Sequence, residues 1–86
     1  MDETTLLQEL EALAEELAIE VRYDALEKSG GLCRYGGKTY LILNRDLNNA
    51  EKINLFARAL SRLSLDAVFM RPQVREFIEA SATDVG

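Results

Sequence analysis

Leu6, Leu10, Leu13 and Leu17 are spaced four, three and four residues apart, and Leu7, Ala14 and Ala18 widen the same stripe. That period predicts an amphipathic helix over 3–18, with glutamates on its outer side. Asp2 or Thr4 is placed to cap its first turn, where acidic groups also suit the helix dipole. At Ile19 the period changes to two. Ile19, Val21 and Tyr23 alternate with Glu20, Arg22 and Asp24, the pattern of a half-buried strand. Ser29-Gly30-Gly31 then breaks the chain. Leu32–Tyr35 and Lys38–Asn44 flank Gly36-Gly37, a two-residue hairpin turn, because type I′ turns need positive φ at both central positions. That register puts Leu32, Leu41 and Leu43 on one face and Cys33, Tyr35, Tyr40 and Ile42 on the other.

Asn48-Asn49-Ala50-Glu51 reads as a capping box, in which Asn48 caps and Glu51 reaches back to its amide. The helix it opens is expected to run to about Leu63. Ile53, Phe56, Ala57, Ala59, Leu60 and Leu63 fall on one arc of it; Glu51, Asn54, Arg58 and Arg62 fall on the other. Pro72 suits the first position of a last helix. Val74, Phe77 and Ile78 form that helix's apolar stripe, and Arg75 and Glu79 make an outward i,i+4 pair. The expected fold is a small α+β domain over residues 1–80. It has an N-terminal helix, a three-stranded mainly antiparallel sheet with a Gly-Gly hairpin, and two C-terminal helices. Residues 81–86 read as a flexible tail.

Composition narrows the chemistry. The chain has 86 residues, 48% of them apolar and 29% charged, which is one small domain. No apolar run approaches the ~18 residues of a spanning helix, and Met1-Asp2-Glu3 is not the basic start of a signal peptide. No membrane association is expected. There is no histidine and a single cysteine. A histidine-based triad, a histidine-ligated metal, an internal disulfide and a cysteine-rich zinc site are therefore excluded, and no cofactor is expected. Residues 1–20 hold seven acids and no base; the rest holds eight acids and ten bases, for a net charge of −5. That balance argues against nucleic acid, whose affinity rests on neutralising phosphates. It also sets an acidic first helix against a slightly basic body, which should attract each other within one subunit or between two.

A chain this short makes a thin core, and without disulfides or a metal, oligomerisation is the common remedy. Both faces of the hairpin are rather apolar. One should cover the helices. The Cys33, Tyr35, Tyr40 and Ile42 face is either capped by the C-terminal segment, left as ordinary mixed surface, or buried in a homodimer or partner interface. Cys33 has no histidine to act as base, and Arg34 should point to the opposite face, so a structural or interface cysteine is expected. Gly30-Gly31 leads into a strand, not a helix, so it reads as a turn and not a phosphate loop. Arg58 and Arg62, one helical turn apart, are placed to face water, to meet an acidic protein surface, or to clamp a carboxylate or phosphate. The acidic pairs of the first helix, such as Glu11 with Glu15, line no evident pocket.

The stretch from Leu13 to about Leu63 resembles the minimal zincin fold of the ImmA/IrrE-type metallopeptidases. The resemblance is carried by the leading helix, Ile19-Glu20-Val21-Arg22-Tyr23, a Gly31-Leu32-Cys33 strand, a strand ending Ile42-Leu43-Asn44, and the helix that follows. Where that family has Ala-His-Glu-x-x-His, this chain reads Ala57-Arg58-Ala59-Leu60-Ser61-Arg62. Arg58 and Arg62 stand at the two zinc-ligand positions, and Ala59 stands at the general base. Arginine stays protonated and has no lone pair for a metal, and alanine accepts no proton. The segment after Leu63 has no evident third ligand. The resemblance thus implies a retained scaffold without zinc or peptidase activity, in a bacterial, cytoplasmic protein that binds another protein without cutting it.

Two functions remain open on the sequence. One is a non-catalytic, self-associating protein-interaction domain using Cys33, Tyr35, Tyr40, Ile42, Arg58 and Arg62. The other is a small ligand-binding protein or enzyme using Cys33, Tyr40 or the Arg58/Arg62 pair in a dimer cleft.

Overall fold

Asp2 begins the first helix: its Oδ1 accepts from the Thr5 amide at 2.8 Å, and α1 runs Glu3–Glu16. A computed structural model describes residues 1–83 of the chain. Helix α1 ends two residues short of the expected limit because Ala18 enters the left-handed region at φ 59°. There the amide of Ala18 reaches back to the Glu15 carbonyl at 3.0 Å and the chain turns directly into β1.

Three strands follow, β1 (Ile19–Asp24), β2 (Gly30–Tyr35) and β3 (Lys38–Asn44). Gly36 and Gly37 have φ 59° and 81°, as the hairpin turn between β2 and β3 requires. Leu32 lies opposite Leu41 and Cys33 opposite Tyr40, so the expected division of faces is present. The sheet is mixed, however. Its order is β1-β3-β2, with β2 antiparallel to β3 and β1 parallel to it. Strand β3 carries the run Tyr40-Leu41-Ile42-Leu43, and the central place shields it on both edges. The flanking strands carry charges and glycines, which edges tolerate.

Asn44 holds the crossing from β1 to β2. Its Nδ2 donates to the carbonyls of Leu26 at 2.9 Å and Lys28 at 3.3 Å, and its Oδ1 accepts from the Asp46 amide at 3.0 Å. Helix α2 (Asn49–Leu60) opens with the full capping box: the Glu51 amide donates to Asn48 Oδ1, and the Asn48 amide donates to Glu51 Oε1, both at 2.9 Å. It ends at Leu60, three residues before the expected limit.

The core lies between one sheet face and the helices. Leu10 of α1, Leu41 and Leu43 of β3, Phe56 and Leu60 of α2, and Val74 of α3 (Pro72–Thr83) are fully enclosed. Truncating Phe56 to alanine would cost roughly 3–5 kcal/mol by analogy with other buried aromatics. Helix α3 begins at Pro72 as expected and takes in Ser81–Thr83; residues 84–86 of the expected tail lie outside the described residues.

One expected pair is replaced. Arg75 does not reach outward to Glu79; it is half-buried and donates Nη2 hydrogen bonds to the carbonyls of Val68 at 2.6 Å and Leu65 at 3.3 Å. In the connector between α2 and α3 the Leu65 carbonyl already accepts from the Val68 amide at 3.1 Å, so the guanidinium adds a second bond there and supplies a partner to the Val68 carbonyl.

Some of the acidic charge of α1 is met within the chain. Glu9 pairs with Arg71 at 3.3 Å, and Glu11 accepts the Tyr23 hydroxyl at 3.0 Å. The ammonium of Lys52 lies 5.0 Å from the Tyr23 ring centre. Burial, together with the Glu11 hydrogen bond and charge, pushes the Tyr23 hydroxyl up to about 12.

Candidate interaction site

Strand alternation sends Cys33 and Tyr35 of β2, and Tyr40 and Ile42 of β3, to the sheet face away from the helices. All three helices pack on the other side or on one another, and no element among the described residues covers this face. Cys33 is exposed, Tyr35 is 80% exposed, and Tyr40 and Ile42 are half-buried at the centre. Strand β1 supplies a polar margin: Arg22 bonds Glu20 at 2.6 Å and its guanidinium lies 5.1 Å from the Tyr40 ring centre. At the other end, the 25–29 crossing and Ile42 bound a broad, shallow depression that Cys33 also lines.

Arg58 and Arg62 are elsewhere. They lie on the helix side of the sheet, in an open groove of about 300 Å³ between β2 and α2. From β2 the groove is lined by Gly30, Gly31 and Leu32; from the α2 side, Leu55 and Ala59 join the two arginines. Ala59 is 6% exposed and forms part of the apolar floor. Neither guanidinium makes an ion pair or hydrogen bond among the described residues, where Arg22–Glu20 and Arg71–Glu9 are the salt bridges present. Arg34 adds a third positive charge on the same sheet face as Leu32.

The six expected site residues thus divide into two groups separated by the sheet. Cys33 and the arginine pair share no cleft within one chain. Groups of three or more histidine, cysteine, aspartate or glutamate side chains able to hold a metal are absent among the described residues. No helix among those residues is long and apolar enough to cross a membrane.

Sequence reasoning missed one feature, the free edge of β2. The two-residue turn makes Tyr35 and Lys38 a hydrogen-bonded pair, and the ladder alternates from there. Cys33 pairs in the same way with Tyr40, and Gly31 with Ile42. The Asn44 amide on the Ser29 carbonyl at 2.8 Å continues the same phase. Leu32 and Arg34 therefore direct N–H and C=O away from β3, along the open edge of β2 beside the groove. The signal for this was the strand order, which the hairpin alone does not reveal.

Compared with known proteins, the chain matches no family model, no curated protein and no solved structure.

Proposed function

We propose that this chain is a non-catalytic protein-interaction domain that self-associates through the open face of its sheet. The observation that carries this reading is the uncovered surface around Tyr40 and Ile42, flanked by exposed Cys33 and Tyr35. In a two-layer fold of this size, a second copy laid on that face would supply the missing layer and enlarge a thin core. The margin carries both signs, Glu20 and Arg22 on β1 and Lys38 on β3, so it tolerates a copy of itself better than a one-sign surface would. The absence of imidazole, together with the separation of Cys33 from Arg58 and Arg62, favours binding over catalysis. In the same reading the Arg58-Ala59-Arg62 sequence beside β2 is the remnant of a zincin-type site that has lost its metal ligands.

Sedimentation equilibrium tests the proposal. The protein should form a dimer, and Ile42→Glu should make it a monomer with an unchanged circular-dichroism spectrum. Alkylation of Cys33 should slow as protein concentration rises. A strict monomer at the highest attainable concentration, with concentration-independent alkylation, rejects self-association through this face.

A further inference from the structure

A second surface lies on the opposite side of β2 and does not depend on the open face. We propose that the groove between β2 and α2 takes an extended acidic segment of another protein, added as a fourth strand to the edge of β2. Three observations meet there. First, Leu32 and Arg34 present backbone donors and acceptors that no element among the described residues uses. An incoming strand would satisfy them at the usual ~4.8 Å spacing. Second, Leu32, Leu55 and Ala59 give the groove an apolar floor. Third, Arg58 and Arg62 stand at its wall without ion pairs among the described residues, and Arg34 lies on the same side.

The charge identifies the occupant. Side chains of an added strand alternate between the two sheet faces. Every second one would point toward α2 and the arginines, so a segment with carboxylates at alternate positions fits. Glu27 and Lys28 in the neighbouring crossing have opposite signs and leave that balance unchanged. A second copy is a poorer occupant of this edge. Symmetric pairing of β2 with β2 would bring Arg34, Arg58 and Arg62 toward their own equivalents, and like charges across a seam are unfavourable.

The test uses the full chain and two acetylated, amidated octapeptides, one alternating valine with glutamate and one alternating valine with lysine. The glutamate peptide should bind, weaken with added salt, and shift the amide resonances of Leu32 and Arg34. Combining Arg58→Glu with Arg62→Glu should weaken the glutamate peptide at least about tenfold and admit the lysine peptide. That reversal of preference distinguishes lost charge from lost fold. Ile42→Glu should leave peptide binding intact, so failure of self-association and failure of this groove read out separately. The proposal is overturned if neither peptide binds, if both bind alike, or if the double variant keeps the glutamate peptide. It is also overturned if the shifts centre on Tyr40 and Ile42, or if concentrating the Ile42→Glu variant alone moves the Leu32 and Arg34 amides.

Discussion

Gly30 and Gly31 are adjacent, lie in the same strand and line the same groove, yet alanine should have opposite consequences at the two. A Cβ on Gly30 would stand 1.9 Å from the carbonyl oxygen of Ile42, 2.9 Å from its carbon and 3.0 Å from the Cα of Leu43. Every one of these atoms is backbone of the central strand, so no side chain can swing aside. Gly30 also has φ 129°, where an L-residue is strained by roughly 1–3 kcal/mol. Relief requires β3 to move by about an ångström or the ladder to open at this end, with the loss of one or two hydrogen bonds worth ~1 kcal/mol each. Gly30→Ala should therefore cost about 2–5 kcal/mol, a large share of the ~4–13 kcal/mol expected for a domain of this length. A Cβ on Gly31 meets nothing within 4 Å and its φ is ordinary, so Gly31→Ala should stay within ~0.5 kcal/mol. Differential scanning calorimetry reads the contrast directly. At ~4–8 °C per kcal/mol, Gly30→Ala should melt at least about 8 °C below the parent, and Gly31→Ala within about 4 °C of it. If the two variants melt together, the close approach of Gly30 to Ile42 is not what holds this end of the sheet.

Three further outcomes follow from single contacts. The Tyr23 hydroxyl, pushed up to about 12 by burial and by Glu11, binds its proton more tightly in the folded than in the unfolded chain. Its contribution to stability is complete below about pH 10 and is lost as pH rises toward 12; urea denaturation should show a fall over that window that Tyr23→Phe flattens. Arg75→Met removes the donors to Leu65 and Val68 and should cost roughly 1.5–3 kcal/mol, with faster amide exchange confined first to the 61–71 connector. Ala18 holds φ 59° without the freedom of glycine, so Ala18→Gly should raise stability by about 1 kcal/mol in the same denaturation assay.

What could be read from the residues was whatever depends on near neighbours. The α1 stripe, the capping box of Asn48 and Glu51, the Gly36-Gly37 turn and the facing of Leu32, Leu41 and Leu43 are settled within a few residues of chain. The parallel pairing of β1 with β3 is not. It depends on β3 being the most apolar strand and on Asn44 holding the 25–29 crossing across its end, and neither is a periodic signal. Arg75 was misplaced for a related reason. An arginine four residues from a glutamate on a helix suggests a surface pair, but the Val68 carbonyl of the connector competes for the same guanidinium and wins at 2.6 Å. The candidate site was legible as a set of residues and not as a place. Periodicity put Arg58 and Arg62 on the polar arc of α2, but only the sheet order reveals that this arc overlooks an open edge.

Strand β2 stands between the two surfaces argued above, and its composition suits that position. A strand buried on both faces would be a continuous apolar run; one covered on one face would alternate strictly. Here Leu32 faces the helix layer, Cys33 and Tyr35 face outward, and Arg34 returns to the helix side near the free edge. The glycines at 30 and 31 bring backbone, not side chain, to the end of the groove. An edge of this kind invites unwanted pairing unless something opposes it. The three arginines supply that opposition toward a second copy and toward any basic segment, while leaving the edge open to an acidic one. On the proposed reading, the charges that would keep copies of this chain from joining edge to edge leave the open face, around Tyr40 and Ile42, as the surface for self-association.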